Sequence, residues 1–121
     1  MFQQDFEALQ IRVSAQRIGP DIQVTVAGGD GPHIGCVAIA EPDERLSAAG
    51  LSATVSVHNI CGHRDGELAT PIAKRLAAAL RCRVVVVAGV HYNSFSPELL
   101  QKTAAFTEQL AAALTAHFQN N

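Results

Sequence analysis

Tryptophan is absent, tyrosine occurs once, and aromatic residues make up only 5% of the 121 residues. Charge of either sign is also scarce: nine basic and eleven acidic side chains leave a formal net charge of −2, with no run of like charge. Nucleic-acid surfaces need clustered cations and stacking faces, and anionic membranes need basic patches. The chain supplies neither, so it predicts no nucleic-acid partner and no membrane surface. No apolar run approaches the ~20 residues of a membrane-spanning helix. Cysteines are few, and Cys36, Cys61 and Cys82 are odd in number and widely spaced. A disulfide framework would strand one thiol, so the expected compartment is the reducing cytoplasm. The opening MFQQDFEALQ lacks a basic segment followed by an apolar one, and no signal peptide is expected. Internal repeats and low-complexity linkers are missing too.

What remains is 48% apolar and 17% charged, the composition of a folded domain, here one spanning 1–121 and large enough for a single core. Its organising stretch is Thr54–Leu80. Val55 and Val57 alternate with Thr54, Ser56 and His58 up to Ile60, then Cys61-Gly62-His63-Arg64-Asp65-Gly66 interrupts. Beyond the break, Leu68, Ile72, Leu76 and Leu80 recur at helical spacing. The apolar period therefore changes from 2 to about 3.6. Thr70-Pro71 leaves two starts open for this helix, since proline suits the first helical position but not the interior. Either Pro71 begins it, or Asp65 caps an earlier turn that Pro71 distorts; the start lies between 65 and 71.

Around this unit, residues 1–7 read as a frayed or helical lead-in, with Phe2 and Phe6 covering a core edge. Leu9, Ile11, Val13 and Ala15 predict a half-buried strand. Gly19-Pro20-Asp21 turns it into a second strand on Ile22, Val24 and Val26. After the flexible Gly28–Pro32 loop, Ile34–Ala40 is apolar on both faces, as is Arg83–Val90 with its four consecutive valines, and each reads as a strand buried on both sides. Glu41–Gly50 is a polar connection with room for one helical turn. Ser96-Pro97-Glu98 starts the last helix with a hydroxyl cap, proline first and an acid in the first turn, and Leu99, Thr103, Phe106, Leu110, Leu114 and His117 continue it. The expected architecture is an α/β (α+β) two-layer sandwich: a five-stranded mixed sheet with two helices on one face, in the order β-β-β-β-α-β-α.

That topology has a chemical consequence. His33 precedes the third strand, His63 follows the fourth and His91 ends the fifth. Antiparallel third and fourth strands place the start of one beside the end of the other, and a βαβ crossover makes the fourth and fifth parallel. All three histidines then share one rim, with Asp30, Arg64, Asp65 and Asn93 near them. Three imidazoles with an open position make a potential divalent-metal centre, although strand-end histidines are more often solvated or bonded to local backbone. The Gly62-containing loop before the helix offers N–H groups and a dipole to a phosphate, with Arg64 as a bidentate partner, or is a simple capped helix start. Cys61 is a candidate thiolate or ligand; Cys36 and Cys82 read as core. His58 reads as a pairing or core residue, and His117 suits the dipole of the last helix. No catalytic triad or Cys/His pair stands at recognisable spacing.

Pro32-His33-Ile34-Gly35, Ser52–Val57, Gly62-His63-Arg64-Asp65 and Ala88-Gly89-Val90-His91 occur in this order. Together they resemble the prenylated-flavin chaperone family, the LpdD-like proteins associated with UbiD-type aromatic acid decarboxylases, over most of the chain. The resemblance implies a non-catalytic accessory protein that binds prenylated FMN and delivers it to an apo-decarboxylase. It implies ligand or metal roles for His33, His63 and His91 and a phosphate role for Arg64, with Gly62, Asp65 and Asn93 completing the flavin-binding set. Two other readings stand beside it. One is a small metal-dependent enzyme in which a histidine-bound ion activates water, with Glu67, Asp65 or Asp30 as base. The other is an assembly subunit, self-associating into a symmetric homo-oligomer through the polar faces of the first two strands.

Overall fold

Every second residue of Asp21–Gly29 is buried up to Gly28, and Ile11, Val13 and Ala15 are buried opposite them, so apolar alternation becomes strand pairing. The computed structural model describes residues 1–43, 52–60 and 65–120. Expectations for Cys61, Gly62, His63, Arg64 and most of the polar connection after Asp43 lie outside the described residues.

The strands are β1 (Phe2–Phe6), β2 (Ile11–Ile18), β3 (Asp21–Gly29), β4 (Cys36–Pro42), β5 (Ala53–Asn59) and β6 (Val84–His91). The helices are α1 (Gly66–Leu80), between β5 and β6, and α2 (Pro97–Gln119) at the end. A short 3-10 turn, Glu7–Leu9, joins β1 to β2. The sheet order is β1-β2-β3-β6-β4-β5. Among the described strands only β3 and β6 pair in parallel; every other neighbour is antiparallel.

The mixed α+β sheet with its helices is therefore as expected, but with six strands instead of five. The added strand is β1, which replaces the frayed or helical lead-in. Phe2 and Phe6 lie four residues apart, a spacing that puts both on one face of a helix or a strand alike. Pairing decides it: Phe2 faces Ala15 and Phe6 faces Ile11. Glu41 and Pro42 belong to β4, not to the connection that follows it.

The strand order differs in one further way. β4 sits between β5 and β6, so the β5–α1–β6 crossover skips a position while keeping β5 and β6 in the same direction. Cys36 consequently pairs with Asn59 on one side and Ala88 on the other. The start of β4 and the ends of β5 and β6 share one rim, as the topology argument requires.

One sheet face is covered. Val24, Val26, Val84, Val86, Ala38 and Cys36 are fully buried there with Ile72, Leu76, Leu110 and Leu114 of the helices. Each such aliphatic side chain contributes ~1.5–3 kcal/mol of burial. α1 packs on β4, β5 and β6 and against α2. α2 reaches β1 through Phe106, whose ring meets Phe6 edge-on at 4.8 Å, and β2 through Arg17, whose guanidinium donates to the Phe118 carbonyl at 3.0 Å. The alternate residues of β4 and β6 are not covered: Ile39 is 43% exposed and Val37, Val85 and Val87 are half-buried. Both strands were expected to be buried on both faces; in the single chain they are buried on one.

Candidate functional site

At the shared rim the backbone is laced across three strand ends. Gly35 N–H donates to the Ala88 carbonyl at 2.9 Å, and Ile60 N–H to the Gly35 carbonyl at 2.8 Å. Asp30 and Gly31 donate to the His91 carbonyl at 2.6 and 3.3 Å, and Asn93 N–H donates to Asp30 Oδ2 at 2.9 Å. The glycine loop and the segment after β6 are thus bound to each other.

Asp65 is the centre of this rim. It occupies the N-cap position of α1, yet its side chain makes no cap hydrogen bond. It turns inward, only 6% exposed. Oδ1 accepts from Val90 N–H at 2.9 Å, beyond the last residue that β4 pairs with β6. Oδ2 stands 3.2 Å from His33 Nε2. The carboxylate so ties α1, β6 and the loop before β4 together. α1 starts at the early end of its expected range, and Pro71 stands inside it, where its missing N–H leaves one helical hydrogen bond unmade.

His33 Nδ1 lies 2.9 Å from the Gly31 carbonyl. That contact fixes the tautomer if the ring is neutral: Nδ1 carries the proton and Nε2 presents its lone pair toward Asp65. Two glycines make this approach possible. A Cβ at Gly35 would collide with the Asp65 carboxylate and lie 2.8 Å from His33 Nε2, and one at Gly89 would overlap the His33 carbonyl.

His91 is exposed at the end of β6. Its ring borders the same loop, since a Cβ at Gly31 would lie 3.6 Å from His91 Cδ2. Of the sequence-derived site residues, His33, Asp65, His91 and Asn93 therefore meet at one rim, Asn93 by its backbone. Gly62, His63 and Arg64 lie outside the described residues. Among the described residues no group of three or more His, Cys, Asp or Glu side chains is arranged to hold a metal. His58 lies opposite Val37 on the edge strand and is exposed, so it pairs across the sheet and does not enter the core.

A cavity of about 550 Å³ opens directly beneath this rim. The start of α1 gives it Asp65, Glu67 and Leu68; β6 and the loop after it give Val90, His91, Tyr92 and Phe95; α2 gives Leu100, Thr103 and Thr107. Its lining is mainly apolar, with Asp65, Glu67 and His91 among the polar residues. The Tyr92 hydroxyl donates to the Leu9 carbonyl at 2.6 Å, and its ring meets Phe95 edge-on at 5.6 Å. Burial first, then Asp30, pushes the Tyr92 phenol above its ordinary value. The sequence reading missed this cavity because its walls come from segments with no common motif. A second hollow of like volume, beside Asp5, Gln10 and Pro32, has no histidine among its described lining residues.

Neither of the described thiols is poised for chemistry. Cys36 and Cys82 are buried, as expected of core residues, and burial raises both above the usual thiol range, Asp65 adding to the rise at Cys36. A raised thiol is a poor nucleophile at neutral pH. No described helix is long and apolar enough to cross a membrane.

The profile described as "Prenylated flavin chaperone LpdD-like domain" matches residues 5–119 of this chain. Protein LpdD of Lactiplantibacillus plantarum (strain ATCC BAA-793 / NCIMB 8826 / WCFS1) is 29% identical over 112 residues, covering 91% of this chain and 78% of LpdD. A solved structure described as a novel chaperone complex for yeast 20S proteasome assembly superposes with a TM-score of 0.58. It covers 95% of this chain and 94% of that one at 14% identity, a likeness of fold.

Proposed function

This chain belongs to the prenylated-flavin chaperone LpdD-like family, and from that premise we propose that it holds prenylated FMN in the cavity under the histidine rim and delivers it to an apo UbiD-type decarboxylase. The family is one of chaperones and not of enzymes. In this reading the flavin's chemistry belongs to the enzyme that receives it. The observation carrying the proposal is the cavity itself, about 550 Å³, within the roughly 300–1,000 Å³ typical of small-molecule sites. Leu68, Val90, Phe95 and Leu100 offer apolar contact for a fused ring system. His91 and Asp65 offer polar partners at its edge.

The described part of the lining carries no lysine or arginine. A phosphate next to Asp65 and Glu67 needs a cation, and Arg64 with the α1 start is the assigned partner. Gly62, His63 and Asn93 complete the polar side of the site. A divalent ion at His33, His63 and His91 is the finer part of the proposal. The residues suit one: Nδ1 of His33 on a backbone carbonyl is the usual partner behind a metal-bound imidazole, which leaves Nε2 to bind an ion, with Asp65 Oδ2 3.2 Å from it as a second donor.

The test is a titration of the purified protein with prenylated FMN, followed by gel filtration. The expected result is flavin absorbance co-eluting with protein and weakened at least tenfold by His91→Ala and by His63→Ala. A wild-type chain that elutes colourless refutes the proposal. Added to apo-decarboxylase, the loaded protein restores activity faster than free cofactor. Elemental analysis of the same fractions decides the metal.

A further inference from the structure

We propose that the helix-free face of the sheet is the surface on which two copies of this chain pack against each other. The cross-strand register sets out its composition. One row across β3, β6, β4 and β5 reads Thr25, Val87, Val37, His58; the next reads Gln23, Val85, Ile39, Ser56. Its centre is therefore valine and isoleucine, with hydroxyl and amide groups beside them. Gln16 and Gln23 bond to each other at 3.3 Å, and Gln23 donates to Thr25 Oγ1 at 3.0 Å.

Four consecutive valines, 84–87, are split by the pleat. Val84 and Val86 are fully buried under the helices, whereas Val85 and Val87 face outward, beside Ile39 at 43% exposure. An antiparallel sheet made to meet water on one side carries polar residues there. β6 carries valine on both sides and β4 carries Val37 and Ile39 on the open one, and the single chain has helices for only the other face.

The charges lie at the perimeter and are neutralised within the chain. Arg83 is 3.4 Å from Glu41 and 3.6 Å from Asp21, and Arg12 is 2.7 Å from Asp5. Among the described residues the face therefore presents no field of one sign to attract a charged partner and none to repel its own copy. An apolar centre with a polar, charge-paired rim is the anatomy of a protein interface.

Its size suits two copies. Six strands at ~4.8 Å spacing and about seven residues at ~3.3 Å rise give ~650 Å² of flat face, so a pair buries about 1,300 Å², inside the usual range for stable complexes. Sheets stack face to face at ~10 Å in sandwiches, a spacing that valine and isoleucine fill. This surface takes in the polar open faces of β2 and β3, where the sequence placed self-association, and adds to them the aliphatic centre on β6 and β4. It stands independently of the cofactor reading.

Sedimentation equilibrium of the full chain tests the proposal, with circular dichroism melting to show that each variant is folded. The wild type is expected to sediment at twice the chain's mass. Ile39→Lys and, separately, Thr25→Arg are expected to raise the dissociation constant at least tenfold. Val57→Lys is the control, because Val57 is 41% exposed, like Ile39, but on the opposite side of the edge strand. A wild type that is monomeric at micromolar concentration overturns the proposal and leaves a different protein as the occupant of the face. A dimer that survives both face substitutions overturns it as well.

Discussion

Asp65 shows how far a single residue departs from its sequence position. Ahead of a helix, an aspartate reads as a cap, and the chain order alone supports that. In the fold its carboxylate accepts from Val90 N–H and faces His33 Nε2 instead. Asp65→Ala leaves the part-buried Val90 N–H on β6 without its acceptor. Such a loss costs about 1–3 kcal/mol. Asp65→Asn keeps an oxygen for Val90 N–H and loses less; urea denaturation of the two variants gives the comparison. Tyr92 is the chain's one tyrosine, so ultraviolet titration at alkaline pH reports on it alone. Its midpoint is expected above the ordinary 10.0, because burial opposes the phenolate, and the bond to the Leu9 carbonyl needs the protonated form. The native state then binds the proton more tightly than the unfolded chain. The stability from that phenol is complete below pH ~10 and disappears as pH rises through the folded-state value. His33 and His91 were legible as rim residues from strand order. Tyr92 and Thr107 were not, because cavity walls follow from three-dimensional packing and have no period along the chain.

At the scale of elements, the strongest local signals held. Ser96 Oγ accepts from Leu99 N–H at 3.1 Å, with Pro97 first in α2, as the Ser-Pro-Glu signature required. β1 was misread because Gln3, Gln4 and Asp5 separate its two phenylalanines, so alternation was hidden and only pairing with β2 reveals the strand. Strand order was legible where a connection was short or a crossover obligatory. That β4 inserts between β5 and β6 was not, since β5 pairs with β4 in either arrangement. The end of α1 carries a correctable defect. Arg81 closes the helix in the left-handed region at φ 54°, its N–H on the Ala77 carbonyl at 3.0 Å. A non-glycine residue is strained there. Arg81→Gly is expected to stabilise the protein by about 0.5–1 kcal/mol, seen as a higher urea midpoint with an unchanged slope.

Across the whole molecule, the two helices divide the work. α1 covers β4, β5 and β6 and places Asp65 at the rim, while α2 is tied to the other half of the sheet. Its ties are Phe106 on Phe6, His117 edge-on to Phe2 at 5.4 Å, and Arg17 with Phe118. The same helix supplies Leu100, Thr103 and Thr107 to the cavity wall. The seat of α2 on β1 therefore sets the width of a cavity lined by neither Phe6 nor Phe106. Phe6→Ala removes a half-buried ring from that seat, with an expected loss of about 2 kcal/mol, below the range for fully buried phenylalanine. The loss is expected to appear first as faster hydrogen exchange in α2 and in β1, with α1 and β6 unchanged. If the cavity holds the flavin, the same variant binds it several-fold more weakly, although Phe6 does not line the cavity. Unchanged exchange in α2 would mean that α1 alone holds it in place, and that β1 is only a cover for the edge of β2.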